Sequence, residues 1–244
     1  MGAYIEIETG DWSAEAYLAG DDGAPGVLLF IDGIGLRPQI ADMAERIASW
    51  GYVVLAPNVF HREGAMEDLQ PTVDLRDPGV RSSWFTDGPM KWIGRLGAEA
   101  SDSDTDVWLS RLADHARPGA VGVVGYCMGV RLAVRAAARH PDTVAAVGGF
   151  HGGRLVVDAP DSPHRLLAQS RAEFLFAHAD KDRSMTADKV ALLGEALVQA
   201  GLRHTNEIYP GAAHGYTMAD TSTYDEGAAE RHYTALRALL DRTL

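Results

Sequence analysis

Six short apolar runs, separated by segments with helical spacing, constrain this chain more than any other feature of its sequence. The runs cover residues 27–31, 52–56, 120–124, 144–150, 172–176 and 204–209. Several are continuously apolar, the pattern of strands covered on both faces. Between them, residues 40–50, 128–139 and 187–200 place apolar side chains three and four apart, as an amphipathic helix does. Further helices are expected at 107–116 and 223–240. Strands alternating with helices predict an α/β fold with a mostly parallel central sheet flanked by helices. The beginning differs. Tyr4-Ile5-Glu6-Ile7-Glu8 and the segment from Trp12 to Leu18 alternate polar and apolar residues, which predicts antiparallel strands with one exposed face.

A chain of 244 residues with 46% hydrophobic and 23% charged residues is long and apolar enough to bury a full core. A single domain over residues 1–244 is expected, with residues 58–100 as a variable connection near the active site. The formal net charge of −12 disfavours phosphate backbones and anionic lipid surfaces, so neither nucleic acid nor membrane is an expected partner. No apolar run approaches the roughly 20 residues that span a bilayer. The N-terminal residues lack a basic segment followed by an apolar one, and Glu6 stands where myristoylation requires Ser or Thr. The expected location is the cytoplasm, as a monomer or homodimer. Cys127 is the only cysteine, which excludes an internal disulfide and multi-cysteine metal sites. The spacing of Asp102, Asp104 and Asp106 suggests a calcium loop, but Val107 and Ala113 stand where that loop needs Gly and Glu. Neither a metal nor a cofactor is expected, since zinc and nucleotide-binding motifs are also missing.

The chemistry concentrates at Gly125-Tyr126-Cys127-Met128-Gly129, between a buried run and a helix. This is the G-x-nucleophile-x-G pattern, in which small flanking residues permit the sharp turn that lifts a nucleophile above a sheet edge. The helix start beside it favours a thiolate at Cys127, and the Met128 N–H is the natural oxyanion donor. The base and its orienting acid are expected past later strands. His214 lies between small residues in Gly211-Ala212-Ala213-His214-Gly215. Asp180 and Asp182 both follow the run ending at 176, and Asp182 is favoured because Met185 and the helix-opening Thr186 come shortly after it.

Together these segments resemble the dienelactone hydrolase family, the carboxymethylenebutenolidases, from about Val27 to the end. The resemblance implies an α/β-hydrolase fold. It also implies a Cys127–His214–Asp182 triad that cleaves a small ester or lactone through an acyl-enzyme. Two departures accompany it. Asp32 stands where the family places a Glu that helps activate the cysteine, next to Gly33 at the second oxyanion position. No arginine occurs in residues 216–223, although the type enzymes carry one shortly after the histidine. Arg81, Lys91 and Arg95 are candidate substitutes, and Trp84, Phe85 and Trp92 are candidate pocket walls. An acyltransferase or thioesterase with the same triad, and a non-catalytic binding protein, are the alternatives.

Overall fold

The computed structural model describes residues 2–8 and 13–244, so Trp12 of the second expected strand lies outside the described residues. The chain forms two compact units. The first comprises residues 1–119 with 220–222, and the second comprises 120–219 with 223–244.

In the first unit, β1 (Ala3–Glu8) pairs antiparallel with β2 (Ser13–Ala19), as the alternation predicts. The buried strands β3 (Gly26–Phe30) and β4 (Val53–Pro57) run parallel to each other, and β2 joins β4 antiparallel. Between them, α1 (Pro38–Ala48) buries Ile40, Met43, Ala44 and Ile47, which recur on one face at helical spacing. Residues 58–100 are more structured than a loop. They form α2 (Met66–Leu69), α3 (Pro78–Asp87), α4 (Pro89–Arg95) and the start of α5 (Ala98–Ala113). Asp77 caps α3 by accepting from the N–H groups of Gly79 and Val80, and Pro78 fills the first helical position, where a missing N–H costs nothing.

The α5 helix starts nine residues before the expected one, at Ala98 rather than Val107. The acidic run from Ser101 to Asp106 therefore lies inside the helix. Ser101 and Thr105 turn their hydroxyls back onto the carbonyls four residues earlier, at 2.7 Å each. Asp104, 2% exposed, accepts from Arg62 at 2.5 Å and faces His61 Nε2 at 3.1 Å. A buried, paired carboxylate reads in sequence like a solvated one, which is why this boundary was misplaced.

In the second unit, β5 (Val121–Tyr126), β6 (Val144–Phe150), β7 (Glu173–Ala179) and β8 (His204–Tyr209) are parallel and neighbours in that order. Their crossovers contain α6 (Gly129–Arg139), the short α7 (Pro163–Leu166) with a 3₁₀ turn, and α8 (Ala187–Gln199). The chain closes with α9 (Glu226–Thr243). The α6 helix buries a face of Val and Ala side chains on β5 and β6, and α9 covers β6 and β7. The mostly parallel sheet with flanking helices and an antiparallel beginning is therefore the fold of this chain. Among the described residues, no helix is long and apolar enough to cross a membrane.

Candidate active site

All chain-borne chemistry of the second unit gathers at the carboxyl ends of its parallel strands, where open α/β sheets place their crevices. Cys127 follows β5 directly, with φ +54°. A side chain in this left-handed region costs about 1 kcal/mol or more, and such strain persists only where the surroundings impose it. Here the Cys127 N–H donates to the Phe150 carbonyl at 3.1 Å, and its own carbonyl accepts from Gly153 at 3.2 Å. Gly125 makes the turn possible. A Cβ there would lie 2.6 Å from the Gly129 carbonyl carbon and oxygen. Met128 already has helical angles, φ −65° and ψ −29°, so its N–H is one of the first-turn donors that a helix leaves without an internal acceptor.

His214 stands on the loop after β8, a tight turn with Gly211 at φ +80° and Gly215 at φ +93°. Its Nε2 lies 3.1 Å from Cys127 Sγ, and its Nδ1 lies 2.5 Å from Asp182 Oδ2. Asp182, on the loop after β7, is buried, and its other oxygen accepts from the Ser184 N–H and hydroxyl at 2.7 Å each. Asp180 does something else. Its Oδ2 accepts from the Gly211 N–H at 2.8 Å, and its N–H donates to the Ala212 carbonyl at 2.8 Å, so it ties the acid loop to the histidine loop.

The electrostatics follow from these contacts. Burial alone would lower the His214 pKa, but Cys127 and the Asp182 carboxylate outweigh it and hold the imidazole up at about 10. Burial would raise Asp182, yet its hydrogen bonds from His214 and Ser184 hold it down at about 2. Beneath them sits His151, fully buried, with φ +39° and its ring 5.3 Å from that of His214. Burial keeps His151 well below the usual histidine value, and the neighbouring His214 and His232 push the same way. Its Nε2 meets Thr217 Oγ1 at 2.7 Å.

Sequence reasoning missed Ser184, His151, Arg131 and Arg154. Ser184 had a signal, the Asp-x-Ser spacing of a local turn. His151 and the two arginines had none, because only the folded chain brings them here. Arg131, on the first turn of α6, is half-buried and feels the charges of both Cys127 and Arg154.

Asp32 and Gly33 belong to the first unit, in the turn after β3. Both oxygens of Asp32 accept from Arg37, at 2.7 and 3.2 Å, and Oδ1 also accepts from the Ile34 N–H at 3.1 Å. Arg37, only 2% exposed, continues to Asp220 at 2.6 Å. Gly33 is buried against α4, where an added Cβ would lie 2.6 Å from Ile93 Cδ1. Of the other candidates, Arg95 pairs with Glu63 at 2.9 Å and Arg81 lies over the Phe85 ring at 5.9 Å. Trp84 and Trp92 contact each other at 6.0 Å, and Trp92 contacts Phe60 at 5.9 Å.

Comparison with known proteins agrees with this arrangement. The model of the dienelactone hydrolase family matches residues 14–244. A Salmonella typhi protein named as a carboxymethylenebutenolidase is 28% identical over 221 residues, which is 87% of this chain and 75% of the relative. A similarly named protein of Escherichia coli K12 is 27% identical over 219 residues, 86% of this chain and 74% of the relative. A Klebsiella pneumoniae structure described as a dienelactone hydrolase superposes with a TM-score of 0.76 at 21% identity, covering 98% of this chain and 97% of the other.

Proposed function

The chain belongs to the dienelactone hydrolase family, and from that membership we infer that it cleaves a small ester or lactone through a covalent thioester on Cys127. The observation that carries this reading is the unbroken contact line from Cys127 Sγ through both His214 nitrogens to Asp182, at 3.1 and 2.5 Å. A nucleophile within reach of a base, and that base held by a third group, is the arrangement that activates side-chain nucleophiles.

The steps follow from the protonation states. With His214 protonated, Cys127 attacks as a thiolate, and its sulfur bonds to the acyl carbon. The developing oxyanion is stabilised by the Met128 N–H at the start of α6. His214 Nε2 gives its proton to the leaving alkoxide as the C–O bond breaks, and the alcohol departs. The now neutral imidazole takes a proton from water, and the resulting hydroxide attacks the thioester. Release of the acid restores the thiolate and the imidazolium. Asp182 fixes the tautomer and the ring orientation throughout.

A panel of p-nitrophenyl esters and small lactones, run on the wild type and on Cys127→Ala, tests the reading. The wild type should hydrolyse several members, and the variant should lose about a thousandfold or more in kcat, the scale of nucleophile removal. Undiminished hydrolysis by Cys127→Ala would remove the cysteine from the reaction. No turnover of any member by the wild type would favour a binding protein.

A further inference from the structure

Beside the acid loop of the triad opens a cleft of about 710 Å³, walled by Arg154, Arg165, Arg183 and Lys189. The chain as a whole carries −12, so an excess of carboxylates is available to pair with cations. These four are left over. Among the described residues, the side chains of Arg154 and Arg183 have no hydrogen-bond or ion-pair partner. The Lys189 ammonium reaches only the Ser184 carbonyl, at 3.4 Å. Arg165 has a fully exposed Asp158 at 3.9 Å. Like charges gathered in one cleft repel, and an anion placed among them relieves that repulsion.

The cleft adjoins the reacting groups. Ser184 lines it and donates to Asp182 with both its N–H and its hydroxyl. Arg154 follows Gly153, where an added Cβ would lie 3.7 Å from His214 Cε1. Arg154 itself has φ +57°. With Cys127 and His151 it makes up the non-glycine residues of positive φ among the described residues, and all lie at the ends of β5 and β6. The fold thus holds Arg154 in a strained conformation within the site, as it does the nucleophile.

We propose that this cleft is a subsite for a multiply charged phosphate group, so that the ester cleaved at Cys127 carries phosphate on its alcohol portion. The proposal rests on the hydrolase reading above. A single carboxylate is satisfied by one guanidinium fork, whereas a phosphate dianion presents three strong acceptor oxygens to several cations. The acyl carbon bonds to Cys127 Sγ, its C–O bond breaks, and the phosphate-bearing alcohol leaves with the proton from His214. No P–O bond is touched.

Three esters of matched length test the subsite: phenyl acetate, 4-carboxyphenyl acetate and 4-acetoxyphenyl phosphate. The phosphate ester should exceed phenyl acetate in kcat/KM by about tenfold or more, mainly through KM, the effect of one charge-assisted hydrogen bond. That ratio should fall towards unity in the Arg183→Gln, Lys189→Gln double variant, and also for the wild type in about 0.5 M NaCl, where the Debye length is a few ångströms. Calorimetric titration with inorganic pyrophosphate gives a readout without turnover, and the wild type should bind it more tightly than the double variant. A phosphate ester no better than phenyl acetate overturns the subsite, as does equal pyrophosphate binding by both proteins. A carboxyphenyl ester as good as the phosphate ester overturns the assignment to phosphate. Pyrophosphate bound in the cleft while no ester turns over sustains the subsite and overturns the hydrolase reading instead.

Discussion

His214 shares its two nitrogens between a sulfur and a carboxylate, and its proton decides what the site can do. Its pKa, held at about 10, keeps the imidazole charged through neutral pH. The proton donor for the leaving group is therefore present until pH rises through that value. We expect kcat/KM to hold its plateau through neutral pH and fall as pH passes about 10, with the limb moving to lower pH in Asp182→Asn. A limb near the ordinary imidazole value in the wild type would contradict the pairing. The linkage to stability has matching signs. The raised His214 contributes fully below its unfolded value of 6.5, and the contribution is lost as pH rises through about 10. The lowered Asp182 contributes above 3.8, and loses its contribution as pH falls through about 2. Its neighbour Asp180 sets up a direct comparison. Asp182→Asn should lower kcat by orders of magnitude, because the imidazole loses its tautomer and alignment. Asp180→Asn loosens only the contact to Gly211 and should cost far less. The reverse ranking, measured on one ester, would assign orientation to Asp180. Both aspartates were legible in the sequence, and choosing between them needed the two loops in place.

At the scale of elements, the β5–α6 junction carries the nucleophile because Gly125 lets two backbones approach. In Gly125→Ala, a Cβ 2.6 Å from the Gly129 backbone forces β5 and α6 apart. Overpacking of this kind destabilises by about 2 kcal/mol. Urea denaturation should show that loss, and ester hydrolysis should fall by about a hundredfold, the cost of displacing a reacting group by about 1 Å. Unchanged stability and activity would mean the junction has slack that the geometry denies. This junction was readable in advance because the strand, the glycines and the helix are contiguous in sequence. The segment 58–100 was not, because its helices are short and its aromatics pack on each other. Phe60, Trp84 and Trp92 form contacts whose partners lie tens of residues apart, and no local period announces such a cluster.

Across the whole molecule, buried charge does what sequence alone could not foretell. Arg37 is buried between Asp32 and Asp220, the latter 183 residues away in the chain. Its guanidinium loses water by burial and is compensated by both carboxylates, which raise its pKa. Removing one partner leaves that charge underpaired, at a cost of about 3 kcal/mol. Asp32→Asn should therefore lower the urea midpoint of unfolding, and a midpoint equal to the wild type's would deny the clamp. Fold class and triad were legible because they rest on periodicity and on motifs beside strand ends. The Arg37 clamp, His151 and the cationic cleft were not, because each joins residues that only the folded chain brings together.

The central claim is that Cys127 becomes acylated. Intact-mass spectrometry after exposure to a slow ester or a β-lactone measures this directly. The account predicts one acyl adduct, mapped by peptide digestion to Cys127, absent in Cys127→Ala and accumulating more slowly in His214→Ala. Substrate turnover by the wild type with no adduct on Cys127, or with the adduct on another residue, would contradict it.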